Sequence, residues 1–242
     1  HDTEYKIVDT YYSVLRHESQ YLVDSFFRYI ESYEKDPYKR FYFPRRKVLK
    51  PVIGAYQEIY DGKLDFLSVS QPKRSGKTTG GLRLAMMMGG RDPDGSIFAV
   101  GKGEGLVKRF YGGLLEAFET EGSYQKFLDV FPEAKKAGGD KFYKSAENLS
   151  IDLKKHSTFS TFTCRPIDGA IVGCTEANVL VYIDDCVKNH EEARNRDRLE
   201  FLCEKVTDDV LGRRLEGTPV VIQGTKYSLY DPITALQEKA NI

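Results

Sequence analysis

The chain of 242 residues carries 36 Lys and Arg against 36 Asp and Glu, a formal net charge of zero, with 40% hydrophobic residues. These figures exclude disordered, collagen-like and mini-protein classes, and the length allows one large α/β domain or two small ones with an ample core. Zero net charge leaves no global attraction for a polyanion, so a nucleic-acid interaction has to rest on local patches or motifs.

The longest apolar runs, such as Val179 to Ile183, fall far short of the roughly 20 residues that a bilayer span requires. The opening His1-Asp2-Thr3-Glu4 has neither the basic nor the apolar region of a secretory signal. Cys164, Cys174, Cys186 and Cys203 are scattered with no C-x-x-C pair, which points to reduced thiols in a cytosol.

In chain order, Val8, Tyr12 and Leu15, then Leu22, Phe26, Ile30 and Tyr33, recur at three-and-four spacing and predict two amphipathic helices. Nearly half the aromatic residues fall in the first 60 positions, so residues 1–40 are expected to form a helical arm or lid that packs on a body spanning 41–242. Asp36-Pro37 and Phe43-Pro44 punctuate its end. A helix is predicted from Val52 to Asp61 and a short buried strand from Phe66 to Ser70.

Further on, strands are predicted at Ile97 to Val100, Leu149 to Leu153, Thr158 to Cys164, Val179 to Ile183 and Pro219 to Gln223. They alternate with helices at Gly105 to Phe118, Tyr124 to Phe131, Glu191 to about Leu215, and after Asp231. That alternation predicts a mostly parallel sheet covered by helices, an α/β fold.

Gln71-Pro72-Lys73-Arg74-Ser75-Gly76-Lys77-Thr78-Thr79 lies between a predicted strand and a predicted helix, the context of a phosphate-binding loop. Backbone N–H groups at a helix N-terminus can cradle phosphate oxygens, and Gly76 permits their close approach. Lys77 would reach the β and γ phosphates, and the Thr78 hydroxyl would complete Mg²⁺ coordination. Gln71 stands where the strict pattern wants its first glycine.

A phosphate loop also needs a carboxylate at the end of a neighbouring buried strand, and Val179 to Ile183 runs straight into Asp184-Asp185. Asp184 is the expected metal partner. Asp185 is placed to orient or deprotonate a water, with Glu191 or Glu192 as alternative bases. At the end of the strand through Val220, Gln223 or Thr225 could sense the γ-phosphate.

Together these residues resemble the ATPase domain of tailed-bacteriophage terminase large subunits. One branch of that family carries a P-P-R-x-G-K-[ST] loop without the first glycine, to which residues 71–78 are similar. The same branch has an apolar strand, Asp-Asp and then Glu-Glu-Ala, as in Ile183 to Ala193, and later an Arg-Leu similar to Arg214-Leu215.

The resemblance, over about residues 43–235, implies an ASCE-type P-loop ATPase that uses ATP and Mg²⁺ to drive double-stranded DNA into a procapsid in the host cytoplasm. Its implied partners are the portal protein and the terminase small subunit, and its implied working form is a homo-oligomeric ring, with a monomer in isolation compatible. Arg74 would contact the γ-phosphate or sense nucleotide state, while Arg45 and Arg46 resemble the stretch that contacts the base or ribose. The same segment, Lys39 to Lys50, holds six basic residues, three aromatics and no acid, a composition suited to DNA contact.

The arginine that relatives often carry shortly before the acidic pair is replaced by Cys174, Thr175 and Glu176. A trans-acting arginine is therefore unassigned among Arg165, Arg213 and Arg214. The RNase H-like nuclease domain of complete family members is not expected in this chain. A helicase-like ATPase outside packaging and a nucleotide-binding module without turnover are the alternative readings.

Overall fold

A computed structural model describes residues 2–136, 142–171 and 173–240. The apolar runs become strands β1 (Phe66–Ser70), β2 (Ile97–Gly101), β5 (Phe162–Pro166), β6 (Leu180–Asp184) and β7 (Val220–Gly224), all mutually parallel, with β3 (Tyr143–Ser145) and β4 (Ser150–Asp152) added antiparallel at one edge. The sheet order is β1-β7-β6-β2-β5-β4-β3. The chain is thus α/β, with a seven-stranded, mostly parallel sheet.

Because successive side chains of a strand point to opposite faces, each central strand feeds two cores. Ala99, Tyr182 and Val221 join one apolar cluster, while Phe98, Val100, Val181, Ile183, Val220 and Ile222 join another. The first is covered by helices α1 (Asp2–Glu18), α2 (Val23–Ile30), α3 (Arg46–Tyr60), α4 (Lys77–Arg91), α5 (Gly103–Glu119) and α6 (Glu121–Val130). The second is covered by α7 (Arg196–Glu204) and α8 (Pro232–Ala240).

The N-terminal segment is built into the first cluster. Val23, Phe26 and Phe27 on α2 are fully buried, as are Met87 on α4 and Phe127 on α6. The face of α1 is less buried than its spacing predicts: Leu15 is inside, but Val8 is exposed. Helix α3 starts six residues before the predicted Val52, with Pro51 inside it.

The predicted continuous helix from Glu191 to Leu215 is broken into four pieces. A 3-10 turn (Glu192–Arg194) precedes α7, which passes into a π-helical stretch (Lys205–Val210) and a 3-10 turn (Leu211–Arg213). Asn195 sets the start of α7, its side chain accepting from Arg198 N at 3.0 Å. Leu199, Leu202, Val206 and Val210 are all buried, so the three-and-four spacing is real, but the wider π turn shifts its register. The predicted strand from Thr158 begins only at Phe162. The four cysteines form no disulfide among the described residues. No helix among the described residues is long and apolar enough to cross a membrane.

Candidate functional site

Strand β7 stands between β1 and β6, so three strands deliver their carboxyl ends, Ser70, Asp184 and Gly224, to one edge of the sheet. Ligands in open α/β sheets collect at such an edge. From β1 the chain turns through residues 71–76 before α4 begins at Lys77. The turn is tied down where Gln71 N donates to Gly224 O at 3.0 Å and Ser75 N to Pro72 O at 3.4 Å. Gly76 has φ 94°, and a Cβ there would lie 2.5 Å from the Phe41 ring, so both backbone and space demand glycine. Arg74 is also left-handed, at φ 63°, and is exposed. Lys73 is exposed too, its Nζ 5.5 Å above the Tyr227 ring. Ser75 Oγ is buried with no hydrogen-bond partner among the described residues, and Thr79 is half-buried in the first turn of α4.

Lys77 is 7% exposed, an unusual state for an ammonium that forms no salt bridge among the described residues. Its Nζ donates to Gln71 O at 3.2 Å, Pro72 O at 3.3 Å and Thr225 Oγ1 at 3.2 Å. Next to it, the Thr78 hydroxyl donates to Asp184 Oδ2 at 2.6 Å. Gln223 lies under both, fully buried; its Oε1 accepts from Tyr56 at 2.6 Å and its Nε2 donates to the Tyr182 hydroxyl. Gln223 is thus committed to the sheet interior, and Thr225 is the residue of that pair that meets the lysine.

Burial pushes the Asp184 carboxyl up to about 6, helped by the charge of Asp185 and opposed by the Thr78 hydrogen bond, Lys77 and the Gln223 amide. Asp184 Oδ1 is buried with no hydrogen-bond partner among the described residues. A desolvated, half-satisfied carboxylate beside a threonine hydroxyl suits a small hard cation, and Mg²⁺ is commonly held by one or two protein oxygens plus substrate phosphates. The donor set therefore fits Mg²⁺ at Thr78 and Asp184. No group of three or more His, Cys, Asp and Glu assembles into an all-protein metal site among the described residues.

Asp185 has φ 43°, a strained value for a non-glycine residue that turns its side chain at the strand end. Its N donates to Gln223 O at 2.9 Å and its Oδ1 accepts from Thr225 N at 3.0 Å, so half of the carboxylate remains available.

The two glutamates differ. Glu191 is exposed, and its carbonyl accepts from Arg194 N at 3.2 Å. Glu192 is locked in a network: Oε1 meets Lys102 Nζ at 2.9 Å and Arg198 Nε at 3.0 Å, and Oε2 accepts from Lys188 N at 2.7 Å. Asp168 closes the network, 2.9 Å from Lys102 and 2.8 Å from Arg198. Partial burial raises both carboxyls, but the Lys188 N–H, Lys102 and Arg198 hold Glu192, and Lys102 and Arg198 hold Asp168, below the usual carboxylate range. Glu192 is a brace between β2, β5 and α7.

Arg45 and Arg46 are likewise occupied. Arg46 forms a two-pronged pair with Asp24 on α2 at 2.8 and 2.9 Å, and Arg45 donates to Phe41 O at 2.9 Å. The residue of this stretch that touches the loop is Phe41, whose ring lies against Gly76 with the Arg83 guanidinium 4.9 Å from its centroid. The sequence did not single out Phe41, Tyr56 or Tyr182 for this site: the first two reach it from other parts of the chain, and Tyr182, on β6 itself, read only as a buried strand residue. Of the three arginines considered for a trans role, Arg165 folds back on Cys164 O at 3.0 Å and on Asn148 O. Arg213 and Arg214 join Ala177, which precedes β6, and so lie at the opposite end of that strand from Asp184.

Compared with known proteins, the chain matches no protein-family model and no curated sequence.

Proposed function

We propose that the chain is a P-loop ATPase of the ASCE type, the motor domain of a viral DNA-packaging terminase large subunit, coupling Mg-ATP hydrolysis to translocation of double-stranded DNA. The observation that carries the ATPase reading is the joining of three strand ends by two contacts, Lys77 to Thr225 and Thr78 to Asp184. The packaging role rests on the likeness of residues 71–78 and 183–193 to the terminase motifs, and with it stand the portal, small-subunit and ring partners.

In this reading the loop N–H groups and the α4 N-terminus bind the phosphates, and Lys77 exchanges its carbonyl and Thr225 partners for phosphate oxygens. Arg74, exposed at the loop crest, lies within the same turn for a γ-phosphate contact. Thr78 and Asp184 would hold the Mg²⁺ that accompanies the nucleotide, and the ion would supply neutralisation of the phosphate charge. Asp185, its Oδ1 fixed by Thr225 N, keeps a second oxygen to orient the attacking water. Thr225 touches both Lys77 and Asp185, so it is the residue through which loss of the γ-phosphate would reach β7.

A nucleotide-binding module without turnover is favoured by one observation, the sequestration of Glu192. Steady-state hydrolysis at rising protein concentration, with and without double-stranded DNA, separates the readings. Turnover that rises more than linearly and vanishes in Lys77→Ala and Asp184→Ala supports the motor, whereas tight ATP binding with no turnover under any condition counts against it.

A further inference from the structure

On the side of the molecule where α1, α2 and the start of α3 meet, a cleft of about 500 Å³ opens between the helices. It is lined by five cations, Arg28, Arg40, Arg46, Lys47 and Lys50, in a chain whose net charge is zero. Its single acidic lining residue, Glu31, is turned inward: Oε1 accepts from Phe43 N at 2.9 Å, and Oε2 from Tyr42 N at 2.9 Å and Arg83 Nη1 at 2.8 Å. Asp24 offsets Arg46 and, at 3.6 Å, Arg28. Lys47 and Lys50 are exposed and form no ion pair among the described residues.

Aromatic rings line the same cleft. Phe43 is 51% exposed and Tyr11 is 44% exposed, with Tyr12 beside Tyr11 at a centroid separation of 5.1 Å. The Phe43 backbone is held by Glu31, whose Oε1 accepts from its N–H, which reduces the ordering that binding would cost. Free cations interleaved with exposed rings form the platform on which unpaired bases stack while their phosphates are neutralised. A duplex keeps its bases stacked on one another and offers no free face. The cleft volume suits one or two nucleotides.

We propose that this cleft binds an unpaired nucleic-acid strand, its phosphates on Lys47 and Lys50 and a base on Phe43. None of the residues lining the cleft belongs to the 71–79 loop, so the site stands apart from the proposed ATPase centre.

Fluorescence anisotropy of a labelled oligothymidylate of about 15 nucleotides, a length within single-strand site sizes, tests it on the whole chain. Tight binding to the single strand, at least tenfold weaker binding to a duplex of equal length, and little competition from tripolyphosphate are expected. Lys47→Glu with Lys50→Glu should weaken binding at least tenfold and lower the slope of log affinity against log salt by about 1.4, the value for two lost single-strand phosphate contacts. Phe43→Leu should weaken it about tenfold with the slope unchanged, and Lys77→Ala should bind the strand as the parent does. Equal affinity for duplex and single strand, full competition by tripolyphosphate, or parental binding in the lysine and Phe43 variants would each overturn the proposal. Absence of ATP turnover would leave it standing.

Discussion

The Thr78 hydroxyl donates to Asp184 Oδ2 across 2.6 Å, joining the first turn of α4 to the end of β6. The two residues are 106 positions apart in sequence, and only the parallel order β1-β7-β6 brings them together. Their contact makes a stability prediction that is independent of turnover. Burial raises the Asp184 carboxyl from 3.8 to about 6, so the folded chain takes up a proton more readily than the unfolded one. Below about pH 4 both states hold the proton and the carboxyl costs nothing; as pH rises through 6 the penalty of a buried charge becomes complete.

Asp184→Asn should therefore raise the unfolding midpoint of the nucleotide-free chain at pH 7.5 by a few degrees. The stabilisation is roughly 2–3 kcal/mol for two pK units at about 1.4 kcal/mol each, and it should fade by pH 4. Thermal unfolding followed by circular dichroism across that range checks it, and a lowered midpoint at pH 7.5 would contradict the buried-charge account.

Gly81 lies one turn further along α4, where a Cβ would fall on the hydroxyl end of the Tyr182 ring. That ring is fully buried, and its hydroxyl accepts from Gln223, so neither partner can yield without breaking the packing beneath Asp184. Gly81→Ala should destabilise the chain by about 1–3 kcal/mol despite the better helix propensity of alanine. Adding Tyr182→Phe, which removes the hydroxyl, should recover part of the loss. Denaturant midpoints of the single and double variants give the comparison.

Glu31 closes α2 and meets Arg83 on α4 at 2.8 Å, while its oxygens also take the Tyr42 and Phe43 N–H groups. Burial lowers the Arg83 guanidinium, and Glu31 opposes that without cancelling it. Removing one member of such a pair leaves a desolvated charge, so Glu31→Ala should cost about 3 kcal/mol or more. Because Glu31 holds the strap whose Phe41 ring covers Gly76, its loss should raise the KM for ATP more than it lowers kcat. Glu31→Gln, which keeps one of the two backbone acceptors and sets a donor against the other N–H, should restore part of KM but little of the stability.

What the sequence made legible was local. The 71–79 turn between β1 and α4 is contiguous in sequence, and the strands that flank the site are short apolar runs; all five residues of β2, β6 and β7 are buried. Strand order was not legible, since parallel pairing joins residues far apart in the chain. Edge strand β3 is three residues long and largely exposed, without apolar alternation. The helix expected from Glu191 to Leu215 failed because its apolar spacing spans a π turn and because Arg214 is drawn into a bridge with Ala177. Likewise, the pairing of Arg46 with Asp24, 22 residues upstream, was not legible, because Asp24 belongs to a helix whose position the sequence does not give.

The choice of catalytic base is open to a direct test by three substitutions. Glu192 is 15% exposed at its side chain and shares its oxygens among Lys102, Arg198 and Lys188 N, so proton abstraction from a water would first require that network to break. Glu191 is exposed, and its carbonyl rather than its carboxylate is the group held by a neighbour, Arg194 N. Asp185 adjoins Asp184, is oriented by Thr225 N and keeps one oxygen available. General-base loss lowers turnover about 100-fold or more, so Asp185→Asn should reduce kcat by that factor while ATP still binds, and Glu191→Gln should stay within about threefold of the parent. Glu192→Gln should weaken the brace, lowering the unfolding midpoint in a salt-dependent way, with kcat reduced far less than in Asp185→Asn. Measured kcat values that reverse this order would assign the base to the glutamate pair and give Asp185 only its structural contact with Thr225.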